Sequence, residues 1–131
     1  MELWQLEAYA EIRDLISAYN SFGDRGRFDE LLELFAEKAV MDIDDGRTYK
    51  GTDQIKTIFT DTSDSLSEGD SPSYVQHHTS STHIEFEGNK KANSKSYFSV
   101  FLPINRSAIR LKSCPCNGFL IRSAHISFVG Q

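Results

Sequence analysis

Residues 19–35 read Tyr-Asn-Ser-Phe-Gly-Asp-Arg-Gly-Arg-Phe-Asp-Glu-Leu-Leu-Glu-Leu-Phe, and the fold is decided here. Upstream, Trp4, Ala8, Ile12, Leu15, Ile16, Tyr19 and Phe22 recur at steps of three and four, which predicts a helix over 4–22 with one buried stripe. Gly23-Asp24-Arg25-Gly26 breaks that pattern. Phe28, Leu31, Leu32 and Phe35 then fall at i, i+3, i+4 and i+7, so a short second helix follows and the pair forms a corner.

Beyond the corner, residues 39–50 carry Asp45-Gly46 between two short runs, a hairpin signal because both residues tolerate positive φ. Thr52 is the expected cap of a third helix with Ile55, Ile58, Phe59, Thr62 and Leu66 inward, ending near Gly69. Ser63 to Ser73, rich in Ser, Asp and Gly, reads as an exposed loop. Tyr74–Glu87, Lys95–Leu102 and Phe119–Val129 have strand composition, with turns at Gly88-Asn89 and Asn117-Gly118 and a weaker strand at Ser107–Lys112. Three helices followed by strands, without β-α-β alternation, predict an α+β domain with a mostly antiparallel sheet.

The 131 residues match one domain, spanning 1–131, and 39% hydrophobic with 11% aromatic content supplies a core. The net charge is −5, which offers no general attraction to nucleic acid or anionic membrane. All 19 acidic residues precede Ile104, while Arg106, Arg110, Lys112 and Arg122 follow it, so the tail is expected to lie against the acidic body. Met-Glu-Leu-Trp-Gln-Leu-Glu lacks a signal-peptide pattern and the chain has no long apolar run, so a cytoplasmic protein is expected. Cys114 and Cys116, flanking Pro115, are too close for an unstrained disulfide and fit a reducing compartment. The Asn105-Arg106-Ser107 sequon is read as chance.

The order of these elements resembles the SnoaL-like branch of the superfamily named for nuclear transport factor 2. Tyr19…Asp24-x-Gly26-x-Phe28-x-x-Leu31-x-x-Leu34-Phe35 carries the resemblance, with Gly46-x-Thr48-Tyr49-x-Gly51-x-x-x-Ile55, the His77 strand, and Asn117-Gly118-Phe119-Leu120-Ile121-Arg122. It implies a curved sheet wrapped into a cone and closed by the helices around an apolar cavity. It also implies a homodimer through the sheet face and a small apolar molecule as partner. Such folds serve as dehydratases, dehydrochlorinases, isomerases and polyketide cyclases, or as plain binding pockets, so the fold alone does not choose.

In the resembling dehydrochlorinases and scytalone dehydratase an Asp and a His at the positions of Asp24 and His77 form a dyad. Carried over, His77 is the base that takes a proton from carbon and Asp24 its orienter, a role suited to imidazole near neutral pH. Asp24 equally suits a turn or the cap of the next helix, and His77 a half-buried strand position. Tyr19 stands where the resembling ketosteroid isomerases place an oxyanion donor, and also on the buried helical stripe. That family's general base would fall on Ile43, which disfavours a steroid-isomerase mechanism.

Strand phase adds a constraint. Ile84 and Phe86 facing inward would bring His78 inside rather than His77, unless a bulge between Thr79 and Thr82 shifts the alternation. His78 is therefore the alternative base.

Asp42, Asp44 and Asp45 lack the spacing of a Ca²⁺ loop, and Cys114, Cys116 and His125 lack that of a zinc site, so no metal is expected. His125, on one strand face with Phe119 and Ile121, reads as a core or pocket residue. No phosphate-binding, dinucleotide or nucleophile-elbow motif occurs, and no cofactor is expected. Residues 104–116 depart from the family pattern. Two functions follow: a cofactor-independent lyase or isomerase using His77, Asp24 and Tyr19, or a non-catalytic ligand-binding or assembly module.

Overall fold

The computed structural model describes residues 1–43, 46–67, 75–103 and 109–112. Helix α1 (Leu3–Asp24) is two residues longer at its C-terminal end than the apolar repeat alone indicates. It stops in a Schellman turn: Gly26 takes φ +69°, its N–H donates to Gly23 O at 3.2 Å, and the Arg27 N–H donates to Phe22 O at 2.9 Å. The break expected across Gly23–Gly26 thus falls at Gly26, and Asp24 belongs to the last helical turn. Helix α2 (Phe28–Glu33) follows at once and buries Leu31 completely.

Strands β1 (Val40–Asp42) and β2 (Thr48–Lys50) pair antiparallel, Val40 opposite Lys50. The Asp45-Gly46 turn lies partly outside the described residues; Gly46, at φ +88°, donates its N–H to Ile43 O at 2.9 Å. Helix α3 (Gly51–Ser67) starts directly from β2, with Gly51 at φ +79° and its N–H on Ala39 O at 2.8 Å. The cap expected from Thr52 is corrected, since Thr52 lies inside the helix and Gln54 Oε1 accepts the Lys50 N–H instead, at 2.8 Å. Residues 63–67 are helical, as the helix expected to end near Gly69 requires, so the exposed loop expected over 63–73 does not hold there; 68–74 lie outside the described residues.

Strand β3 (Gln76–Glu87) forms an antiparallel hairpin with β4 (Lys91–Pro103), and β5 (Ile109–Lys112) pairs with the far edge of β4. The Ser107–Lys112 candidate is thus a strand over Ile109–Lys112, with 107 and 108 outside the described residues. The expected strand 119–129, the Asn117-Gly118 turn, Cys114, Cys116 and His125 lie outside the described residues.

Two apolar centres hold the helices. Ile12 meets Ile84 and Ala92 of the hairpin, flanked by Tyr9, Ile16 and Phe86. Near the corner, Tyr19 packs edge-on against Phe35 and Phe59, with ring centroids 6.0 and 6.2 Å away, and Phe28 stacks on Phe59. Each fully buried Ile or Leu here is worth about 1.5–3 kcal/mol. The first centre packs α1 on the β3–β4 hairpin and the second ties its C-terminal end to α2 and α3, which fixes the side chains between them. Among the described residues no helix is long and apolar enough to cross a membrane.

Candidate active site

The phase of β3 changes midway. From Gln76 to Thr79 the strand pairs in one register with β4, and from Thr82 onward it is offset by one residue, so Ser80 and Ser81 together oppose Tyr97. The more enclosed residues are consequently His77 and Thr79 before the bulge and Thr82, Ile84 and Phe86 after it. The strand can therefore bury Ile84 and Phe86 in the core and still turn His77 toward α1. His78, the alternative base, lies exposed on the opposite face, edge-on to Phe101 with centroids 4.6 Å apart.

Asp24 reaches His77 from the end of α1. Its Oδ1 lies 2.5 Å from the ring Nδ1, and its Oδ2 accepts the His77 backbone N–H at 2.8 Å. The Asp24 side chain is 16% exposed and that of His77 32%. The helix-cap role weighed for Asp24 is not taken up: the N-cap of α2 is Arg27, with no side-chain cap bond, and the Asp24 carboxylate is committed to His77. Nothing in helix energetics favours it there, because a carboxylate in a last turn opposes the helix dipole. The chemical consequence concerns the tautomer. With Nδ1–H directed at the carboxylate, Nε2 carries the lone pair, and the same carboxylate stabilises the imidazolium once Nε2 takes a proton.

One turn back along α1, Asn20 Nδ2 donates to Thr79 Oγ1 at 2.6 Å, a second polar rung between the same two elements. Sequence reading passed over this pair, though Asn20 precedes Asp24 by one helical turn and Thr79 follows His77 by one strand repeat, so both share the dyad's faces. A cavity of about 610 Å³ opens along the rungs, lined by Arg13, Ser17, Asn20 and Asp24 from α1 and by His77, Thr79 and Thr82 from β3. Its described lining joins two aliphatic residues, Ile16 and Val75, to polar side chains, so among the described residues the cavity wall is mixed in polarity. The reason lies in α1, whose apolar stripe is consumed by the two cores and whose polar stripe faces the opening.

Tyr19 does not line this cavity. It is held in the aromatic cluster with Phe35 and Phe59, and burial pushes its phenol up to about 12, so it stays protonated throughout the neutral range. Among the described residues no group of three or more His, Cys, Asp or Glu is arranged to hold a metal ion.

Solved structures similar to this chain share its fold at low identity. Aln2 from a Streptomyces species superposes with a TM-score of 0.71 at 14% identity, over 81% of this chain and 73% of its own. A scytalone dehydratase-like protein from Novosphingobium aromaticivorans gives 0.68 at 20% identity, over 85% and 72%. A hexachlorocyclohexane dehydrochlorinase, LinA type 2, gives 0.67 at 20% identity, over 78% and 66%. No curated protein matches the chain at the sequence level. The α+β fold is that of the superfamily named for nuclear transport factor 2, and the model of the SnoaL-like domain matches residues 4–107. The chain belongs to the SnoaL-like family.

Proposed function

We propose that this protein is a cofactor-independent lyase or isomerase acting on a small molecule, with His77 as general base and Asp24 as its orienter. The observation that carries the reading is the double hold of Asp24 on His77, at 2.5 Å to the ring and 2.8 Å to the backbone. A carboxylate spent twice on one histidine fixes both the ring's position and its tautomer, and a base so placed contributes about 10²–10⁴-fold to a proton transfer. Nε2 takes a proton from a substrate carbon. The electron pair left behind either expels a leaving group from the next carbon, giving an alkene, or moves along a conjugated system and is reprotonated elsewhere. The structural likeness to a dehydrochlorinase and to a scytalone dehydratase-like protein supports this reaction class, since eliminations of this kind need only a base beside an acidic C–H. A pocket whose dyad members stood apart would favour the non-catalytic module; here they are in contact. The remainder of the proposal is one domain over 1–131, working in the cytoplasm as a homodimer through the sheet face.

The test is turnover of a panel of eliminable halides, β-hydroxy ketones and β,γ-unsaturated ketones by the protein and by His77→Gln. Conversion that drops at least about 10²-fold in the variant is expected. Turnover unaffected by His77→Gln, or none with any compound, overturns the reading.

A further inference from the structure

The dyad supplies a base but nothing to receive the charge that builds as the proton leaves. Tyr19, the residue the family resemblance offers for that task, is packed among Phe35 and Phe59 and does not border the cavity that holds the dyad. The rung next to the dyad has the right chemistry. Asn20 donates its Nδ2–H to Thr79 Oγ1 at 2.6 Å, both residues border the cavity, and the bond lies partly buried. A hydroxyl whose oxygen already accepts a bond turns its own O–H outward, and the donation from Asn20 polarises that O–H.

We infer that Thr79 is the group that donates to a substrate oxygen becoming negative during proton transfer, with Asn20 as its positioning residue. Substrates are then molecules with a carbonyl or similar oxygen on the carbon adjacent to the one deprotonated. This rests on the dyad reading above. Thr79 lies one strand repeat from His77, roughly 6.6 Å along β3, and Asn20 one helical turn from Asp24, about 6 Å along α1. Such a gap suits a carbon about 3–3.5 Å from the base and its neighbouring oxygen about 2.7–3.1 Å from the donor. The balance is simple: the C–H proton goes to Nε2, its electron pair becomes the new C=C, and the C=O π pair settles on the oxygen held by Thr79 O–H.

Two readouts on the full chain test it: exchange of the α-protons of 2-tetralone in D₂O, followed by NMR, and binding of 4-nitrophenolate, which presents an oxyanion and has no α-proton to lose. Thr79→Val is expected to slow exchange about 10²-fold and to weaken 4-nitrophenolate about tenfold, and Thr79→Ser to restore both. Asn20→Asp keeps the rung but reverses its direction, so Thr79 O–H is spent on the new carboxylate, and with the added like-charge repulsion both readouts should fall at least as far as in Thr79→Val. His77→Gln should abolish exchange. If Thr79→Val and Asn20→Asp change neither readout while exchange still requires His77, the donor pair falls and the dyad stands. Thr79-dependent phenolate binding without His77-dependent exchange upholds the donor pair and overturns the dyad. Neither binding nor exchange overturns both.

Discussion

Asp24 holds His77 at two points, the ring Nδ1 and the backbone N–H, from the last turn of α1. Replacing it by Asn retains an acceptor but supplies no charge to stabilise the imidazolium and no fixed tautomer. Asp24→Asn should therefore fold and lower turnover by about 10²–10⁴-fold. The same position carries a stability signature. A carboxylate at a helix C-terminus works against the dipole by about 0.3–1 kcal/mol, offset here by His77. In a His77→Gln background, Asp24→Asn should be neutral or stabilising by that amount in denaturant melts, whereas in the wild-type background it should destabilise. Destabilisation of equal size in both backgrounds would contradict the assignment.

The corner that presents Asp24 depends on Gly26. At φ +69° it closes the Schellman turn, and a Cβ placed there would meet nothing within 4 Å, so the whole cost of a side chain is backbone strain. Gly26→Ala should lose about 1–2 kcal/mol, seen as a lower urea midpoint at unchanged slope. Gly26→Asn, which tolerates the left-handed region, should lose less. Equal losses for Ala and Asn would show that something other than φ is at stake.

Burial of the Tyr19 phenol, which pushes its pKa from 10.0 to about 12, has a direct consequence at high pH. The folded state holds this proton more tightly than the unfolded chain, so the associated stability is complete below about pH 10 and disappears as pH rises through 12. The shift corresponds to roughly 3 kcal/mol. Tyr19→Phe should remove this component of alkaline destabilisation in melts between pH 9 and 12, and leave turnover at neutral pH within a few-fold, since the hydroxyl does not border the dyad's cavity. A large loss of turnover at neutral pH in Tyr19→Phe would put the phenol back into the chemistry.

How far the residues announced all this differs between elements. The helical periodicities of 4–22 and 28–35 and the strand composition around Gly88-Asn89 are local signals, and α1, α2 and the hairpin strands follow from them directly. The corner resolved later than the Gly-Asp-Arg-Gly composition indicates because glycine at position 26, not 23, takes the left-handed turn. Helix α3 holds 63–67, whose composition also fits a loop, since Ser and Asp are tolerated in a helix whose apolar face is already docked. Asp24 and His77 were legible as a pair only through the family resemblance; their residue types alone also fit a turn and a half-buried strand. The polar groups that α1 brings to the described cavity wall were not legible, because they depend on which of two stripes of α1 the cores use up. Asn20 and Thr79 escaped notice for a related reason: neither titrates, and only the packing of α1 along β3 brings them together.

The bulge in β3 provides the sharpest link between sequence phase and site. Ser80 and Ser81 oppose a single residue, Tyr97, and Ser80 Oγ donates to the Tyr97 carbonyl at 3.3 Å. Deleting Ser81 restores strict alternation, so His77 and Thr79 on one side or Ile84 and Phe86 on the other must change faces. The apolar pair should prevail. Ile84 is 6% exposed within the Ile12 cluster, Phe86 packs against Trp4 and Tyr9, and each such side chain is worth about 1.5–3 kcal/mol buried, more than the two polar rungs return net of solvation. The deletion variant is therefore expected to stay folded, with a melting temperature lowered by several degrees, and to turn His77 outward, leaving turnover at the level of His77→Gln. The ring environment can be followed directly by the His77 imidazole NMR signals, which should lose their coupling to Asp24 and move to solvent-exposed values. A deletion variant that keeps His77-dependent turnover would show that the bulge does not set the orientation of the base.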